Sequence, residues 1–211
     1  MSTKASKTIT WAIIGGILVI MLLGGGCTAC GTYNSLVTQQ EDVDKAWGNV
    51  ENQYQRRADL IPNLVASVKG YATHESTTLE AVTDARAGLG SALEAVNRLN
   101  GDSASYSPQA MNAYTQAQQR LQSALGLYVN AVHEAYPDLK ANENFMSLQD
   151  ELAGTENRIA TERTRYNESV RSYNVNVRRF PNNIFAGMFG FSTREMFAAE
   201  EGASRAPRVE F

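Results

Sequence analysis

The chain of 211 residues has little cysteine, little histidine and no basic tract. Its two cysteines, Cys27 and Cys30, lie inside an apolar stretch, so the polar remainder holds no disulfide framework and no thiolate metal site. Two histidines, His74 and His133, are a poor supply for a metal enzyme. Net charge is −3, and the lysines and arginines are scattered. Displacing phosphate counterions takes clustered cations, so nucleic acid is excluded as a partner. There is no Ser/His/Asp order, no HExxH and no phosphate loop, so we expect neither a catalytic residue nor a cofactor. Only five prolines occur, and 43% of the residues are hydrophobic against 19% charged, which suits a packed core and argues against a disordered chain.

What is present begins at the N-terminus. No charge occurs between Lys7 and Glu41, and residues 9–29 are almost wholly apolar or small, close to the roughly 20 residues that cross a bilayer core as a helix. Trp11 stands near one end, where an indole suits the lipid boundary. Lys4 and Lys7 precede the run, while Glu41, Asp42 and Asp44 are the first charges after it. Basic residues stay on the cytoplasmic side, so the N-terminus is expected inside and the remainder on the periplasmic or extracellular side of the cytoplasmic membrane. Three fates are open for the segment: an uncleaved anchor over 9–30, a lipoprotein acylated at Cys30, or cleavage after Ala29. Thr28 and Ala29 suit a lipobox; Cys27 does not. The expected division is a cytoplasmic 1–8, an anchor over 9–30, a helical bundle over 31–179 and an apolar tail with its extension over 180–211.

Apolar residues then recur at steps of three and four in four stretches, and no stretch alternates as a strand would. The first runs from Leu36 through Val43, Val50, Tyr54 and Ile61 to Ala72, the second from Leu79 to Leu99, the third from Met111 to Ala135 and the fourth from Leu148 to Val177. Breaks fall at Asn100-Gly101-Asp102, at Tyr136-Pro137-Asp138 and at Phe180-Pro181. Ser107 is a fitting N-cap with Pro108 at the first helical position. Short connections make antiparallel neighbours, so the spacing predicts an all-α protein: an antiparallel up-down-up-down four-helix bundle behind a transmembrane helix. Pro62 lies inside the first pattern, where it predicts a kink.

Four groups of residues are candidates for function, each with a plainer structural reading. His74-Glu75 and His133-Glu134 are expected at one end of the bundle, where two imidazoles and two carboxylates would suit a metal-dependent hydrolase; histidine near a helix C-terminus also simply meets the dipole. The pattern Tyr-Asn-x-x-Val occurs at Tyr33-Asn34, Tyr166-Asn167 and Tyr173-Asn174, either as hydrogen bonds that hold helix register or as contacts to lipid headgroups or a partner. Phe185, Phe189 and Phe191 in the tail form either a plug over the end of the bundle or a wedge that remodels the membrane. From Ser103 to His133 the sole charge is Arg120, so Gln109, Gln116, Gln119 and Gln122 form either an oligomer face or an uncharged surface. Among the charged sets, Arg56 and Arg57 on the first helix and Glu156, Arg158 and Glu162 on the fourth suit interhelical pairs, with Arg158 and Glu162 also spaced for an i,i+4 pair.

Several stretches resemble the LemA family of membrane-anchored bacterial proteins. They are Tyr33-Asn34, Ala46-Trp47, Arg56 to Val65, Val68 to Ala72, His74-Glu75, Tyr136 to Asn142, Thr155 to Ala160, Tyr166-Asn167, Tyr173-Asn174 and Phe180-Pro181. The resemblance implies a helical bundle behind one N-terminal span and no particular reaction. Relatives have been linked to membrane organelle formation, and some are encoded near membrane peptidases, which implies membrane-protein partners. The expected function is a non-enzymatic scaffold or adaptor in contact with membrane lipid that forms a homo-oligomer or organises partners such as a membrane peptidase. A membrane-tethered hydrolase and direct membrane remodelling are the alternatives.

Overall fold

The computed structural model describes residues 2–72, 80–100 and 108–198, with side chains throughout except at residues 2–14, 17–25, 27, 72, 100, 108 and 141. Five α-helices follow in order: α1 (Ser2–Ala72), α2 (Glu80–Asn100), α3 (Pro108–Ala135), α4 (Glu143–Arg178) and α5 (Asn182–Phe189), with a 3-10 turn at Pro137–Ala141 between α3 and α4. No strand occurs among the described residues, so the all-helical expectation holds.

Each long helix buries a stripe that repeats every seven residues. In α1 the buried set includes Leu36, Val43 and Val50; in α2 it is Val82, Leu89 and Val96. In α3 the repeat is Tyr114, Leu121 and Tyr128, with Leu125 and Val132 beside it; in α4 it is Phe145, Leu152, Ile159, Tyr166 and Tyr173. Seven residues in two turns is the spacing that keeps one seam facing its neighbour along a helix.

Local chemistry accounts for the helix ends. Pro137 cannot continue the ladder of α3, and the chain makes one 3-10 turn instead. Asn142 then caps α4: its Oδ1 accepts from the Phe145 backbone N–H at 3.1 Å. Gly190 ends α5 with φ +79°, a left-handed conformation that costs glycine nothing, and the Phe191 N–H returns to the Ala186 carbonyl at 2.9 Å. The Ser107 cap expected for α3 lies outside the described residues.

Two features of α1 bear on the sequence reading. No break separates the apolar run from the polar part, because no proline occurs before Pro62 and every intervening residue keeps its amide donor. Pro62 itself is taken into the helix on its exposed side. Among the described residues no helix is long and apolar enough to cross a membrane. The run expected to do so, residues 9–30, falls mostly on side chains outside the described residues.

The chain divides into two units, one of residues 1–46 with 166–211 and one of residues 47–165. In the second unit, α2 packs on α3. Arg56 Nη2 on α1 meets Glu151 Oε1 on α4 at 2.7 Å, an exposed pair of small energetic value. The centre of this unit is polar. Arg57 is only 1% exposed; it donates to Glu156 Oε1 at 2.8 Å, to the Gln118 carbonyl at 3.1 Å and to Gln118 Oε1 at 2.5 Å. The guanidinium also stands 5.3 Å from the Tyr54 ring centroid. Bonds from α1 to α3 and α4 offset much of the cost of burying this cation, although its Nε has no hydrogen-bond partner among the described residues. The expected pairing of the first and fourth helices is present in Arg56–Glu151 and Arg57–Glu156. Arg158 departs from expectation: it donates to Thr155 Oγ1, and Glu162 pairs with Arg165.

Candidate functional site

The first unit holds most of the residues singled out from the sequence. Beyond α5 the chain runs through residues 191–198 without regular secondary structure, so its backbone amides need partners outside any ladder. The Tyr-Asn pairs of α4 supply them. Asn174 Nδ2 donates to the Arg194 carbonyl at 2.8 Å, and the Arg194 N–H donates to Asn174 Oδ1 at 2.8 Å. Asn167 repeats the arrangement on Phe197, donating to its carbonyl at 3.2 Å and accepting from its N–H at 2.9 Å. A carboxamide carries one donor edge and one acceptor edge in a plane, as a peptide group does, so each asparagine replaces one rung of a β-ladder.

The spacing fits. Asn167 and Asn174 are seven residues apart on a helix, about 10 Å at 1.5 Å per residue. Arg194 and Phe197 are three residues apart, which an extended chain also covers in about 10 Å. This C-terminal strap runs antiparallel to α4. Tyr166 adds a hydroxyl bond to the Glu195 carbonyl at 3.0 Å and an edge contact with the Phe197 ring at 5.2 Å. Phe197 is buried. Arg194 Nη2 reaches Asp44 Oδ1 of α1 at 3.5 Å. Burial raises the Asp44 carboxyl above its ordinary value, an effect that outweighs the opposing pull of Arg194. Tyr173 is fully buried, and burial raises its hydroxyl too.

A second polar series joins α1 to the end of α4. Thr32 Oγ1 donates to Asn182 Oδ1 at 3.2 Å, and Asn182 Nδ2 donates to Asn176 Oδ1. Asn176 Nδ2 in turn bonds Ser35 Oγ and Gln39 Oε1, each at 3.2 Å. The first residue of α5 is thereby fixed at the level of Thr32.

α5 and the turn before it leave large apolar side chains in solvent. Phe180, Ile184 and Met188, each four residues from the next, are 76%, 52% and 73% exposed, whereas Ala186 is buried. Tyr33 sits beside this element, its ring 5.1 Å from Phe189 and 5.6 Å from Phe191, both edge-on. Phe185 is half-buried.

The sequence-derived candidates thus separate. Tyr166, Asn167 and Asn174 grip the strap, Tyr173 lies buried beside it, and Tyr33 joins Phe189 and Phe191. Asn34 is exposed, and its backbone carbonyl accepts from Thr38. Gln109, Gln116, Gln119 and Gln122 are all exposed. The neighbouring Gln118, passed over in the sequence, is buried on Arg57. Asp44, Asn176, Asn182 and Arg194 were also missed; the crowding of asparagine around Pro181 was the available signal. Cys30 is an exposed free thiol within α1. His133 is engaged by Gln149, nitrogen to nitrogen at 2.9 Å, and by the edge of Phe145. His74 and Glu75 lie outside the described residues, and no group of three His, Cys, Asp or Glu among the described residues could hold a metal ion.

A family model described as the LemA family matches residues 46–211. The chain is 31% identical over 196 residues to magnetosome protein MamQ 2 of Paramagnetospirillum magneticum, covering 86% of this chain and 70% of the relative. It is 30% identical over 196 residues to magnetosome protein MamQ of Magnetospirillum gryphiswaldense, with the same coverage. To protein LemA of Metamycoplasma hominis it is 25% identical over 171 residues, covering 81% of this chain and 71% of the relative.

Proposed function

The chain belongs to the LemA family, and on that premise we propose that it is a non-enzymatic scaffold anchored in the cytoplasmic membrane. Residues 9–30 form its single span, with the N-terminus inside. The helices beyond them form an up-down-up-down four-helix bundle on the outer face, which assembles with its own copies or holds membrane-protein partners. The carrying observation is the continuity of α1: the apolar run and the Thr32 that holds α5 belong to one unbroken helix. A hinged tether would leave a domain free to tumble, whereas an unbroken helix keeps the elements of the first unit in fixed relation to the span. That suits a part whose task is position. The exposed, uncharged row Gln109, Gln116, Gln119 and Gln122 on α3 supports lateral association, because neutral amides hydrogen-bond across an interface without the cost of stripping water from charges. The MamQ relatives are named for a structure and not for a reaction, which favours a structural role.

The test is the mass of the full-length protein extracted gently with native lipid. A large, regular assembly, or a stoichiometric membrane-protein partner in the same particle, is expected. A monomer that carries no partner would refute the reading.

A further inference from the structure

The first unit contains an apolar surface that its own packing does not use. Ile184 and Met188, four residues apart, lie on one side of α5, with Phe180 in the turn before it, and all three are more than half exposed. Three large apolar groups held in water within nine residues make a recognition face and not an incidental exposure.

The position of α5 is tied to α1. Asn182 accepts from Thr32 Oγ1, and Thr32 is three residues beyond Ala29, where the apolar run ends. Three residues of helix rise about 4.5 Å. The headgroup layer on each side of a bilayer is about 5–7 Å thick, from a hydrocarbon core of ~30 Å within a total of ~40–45 Å. With Ala29 at the edge of the hydrocarbon, α5 begins inside the headgroup layer.

Charge selects the occupant. The chain is acidic overall, yet from Ser169 to Arg194 it contains no Asp or Glu and four arginines. Arg194 is committed to Asp44. Arg178 and Arg179, immediately before Phe180, are exposed. A short helix with an apolar face and flanking cations is the pattern that lies in the plane of an anionic membrane surface.

We propose that α5, through Phe180, Ile184 and Met188 with Arg178 and Arg179, is an interfacial foot that inserts among anionic phospholipid headgroups beside the α1 span. The inference rests on the anchored reading of α1. It makes a second lipid contact on the outer face, and it sets the rotation of α1 about its own axis, since one side of that helix now has to face the foot's lipid. The half-buried Phe185 and the Phe189 packed on Tyr33 hold the foot in place.

The experiment uses the full chain, with Cys27→Ala and Cys30→Ser as background. It is reconstituted in vesicles of phosphatidylcholine with or without phosphatidylglycerol. Three single-cysteine variants carry a fluorophore: Leu18→Cys in the apolar run, Met188→Cys on the foot and Leu127→Cys on α3. Quenching by lipids bearing a nitroxide at the headgroup or mid-chain reports depth, and iodide reports water. The Leu18 label should be quenched from mid-chain. The Met188 label should be quenched from the headgroup several-fold more than the Leu127 label, and more strongly with phosphatidylglycerol. Arg178→Gln with Arg179→Gln should abolish that lipid dependence. If Leu18 is quenched from mid-chain while Met188 behaves like Leu127, the anchor stands and the foot is refuted. If Leu18 is not quenched by lipid at all, the anchored reading fails and the foot fails with it. A Met188 label shielded from iodide yet untouched by either lipid quencher would assign the face to protein and overturn the lipid proposal.

Discussion

Replacing Asn174 by alanine removes both bonds to the Arg194 backbone, each 2.8 Å long. A net hydrogen bond contributes about 0.5–1.5 kcal/mol, so the pair contributes about 2 kcal/mol to holding the strap on α4. At 1.4 kcal/mol per factor of ten, the detached population should rise about thirtyfold. Alanine is also the better helix former, by about half a kcal/mol, so α4 itself should gain slightly. The two effects act on different parts of the molecule. Amide hydrogen exchange resolved to short peptides separates them: protection at Arg194 and Phe197 should fall about thirtyfold, while α2 and α3 exchange as before. Asn167→Ala should do the same from the other end, and the double variant should exceed either, though not additively, because one strap is being held. Unchanged protection at Arg194 would refute the account of the asparagines as the strap's rungs. A uniform loss across α2 and α3 would refute it differently, by showing that Asn174 supports the packing of those helices.

Other perturbations follow from the same contacts. Arg57→Met leaves the Gln118 carbonyl and amide buried without their cation, and breaking such a network costs about 3 kcal/mol, toward the low end because Glu156 is partly open to water. At about 2–4 °C per kcal/mol the helical melting transition should fall by roughly 6–12 °C, and an unchanged midpoint by circular dichroism would remove Arg57 from the core account. Asp44 has a raised folded value, so its ionisation penalises the folded state, and the penalty grows as pH rises from the ordinary carboxylate range through the raised value. Asp44→Asn should therefore be neutral or stabilising at pH 7 and lose any advantage in acid; a variant less stable than the native chain at pH 7 would show instead that Arg194 dominates.

The parts of this fold that are periodic could be read from the sequence. Four helices and the breaks at Pro137 and Pro181 are written in spacing and in two residues that lack an amide donor. The seven-residue recurrence of Tyr166 and Tyr173 was visible too, and with it the common direction of Asn167 and Asn174. Their partner was not. The strap has no repeat and no turn residue to announce it, and an asparagine gives no local sign that it will bond a chain segment 20 or 30 residues away. Gln118 was hidden for a related reason. It stands among exposed glutamines of the same chemistry, and only the burial of Arg57 on α1 distinguishes it. The unbroken course of α1 ran against the habit of ending a span at its first polar residues, because nothing between Ala29 and Asn34 prevents a helix from continuing.

The strap also has mechanical consequences. Its rungs contact backbone and lie in series along α4, so a pull on residue 198 parallel to the helix loads Asn167 and Asn174 together. A pull away from the helix meets Asn167 alone, then Asn174, and peels the segment stepwise. The strap is therefore stiff in one direction and weak in the other.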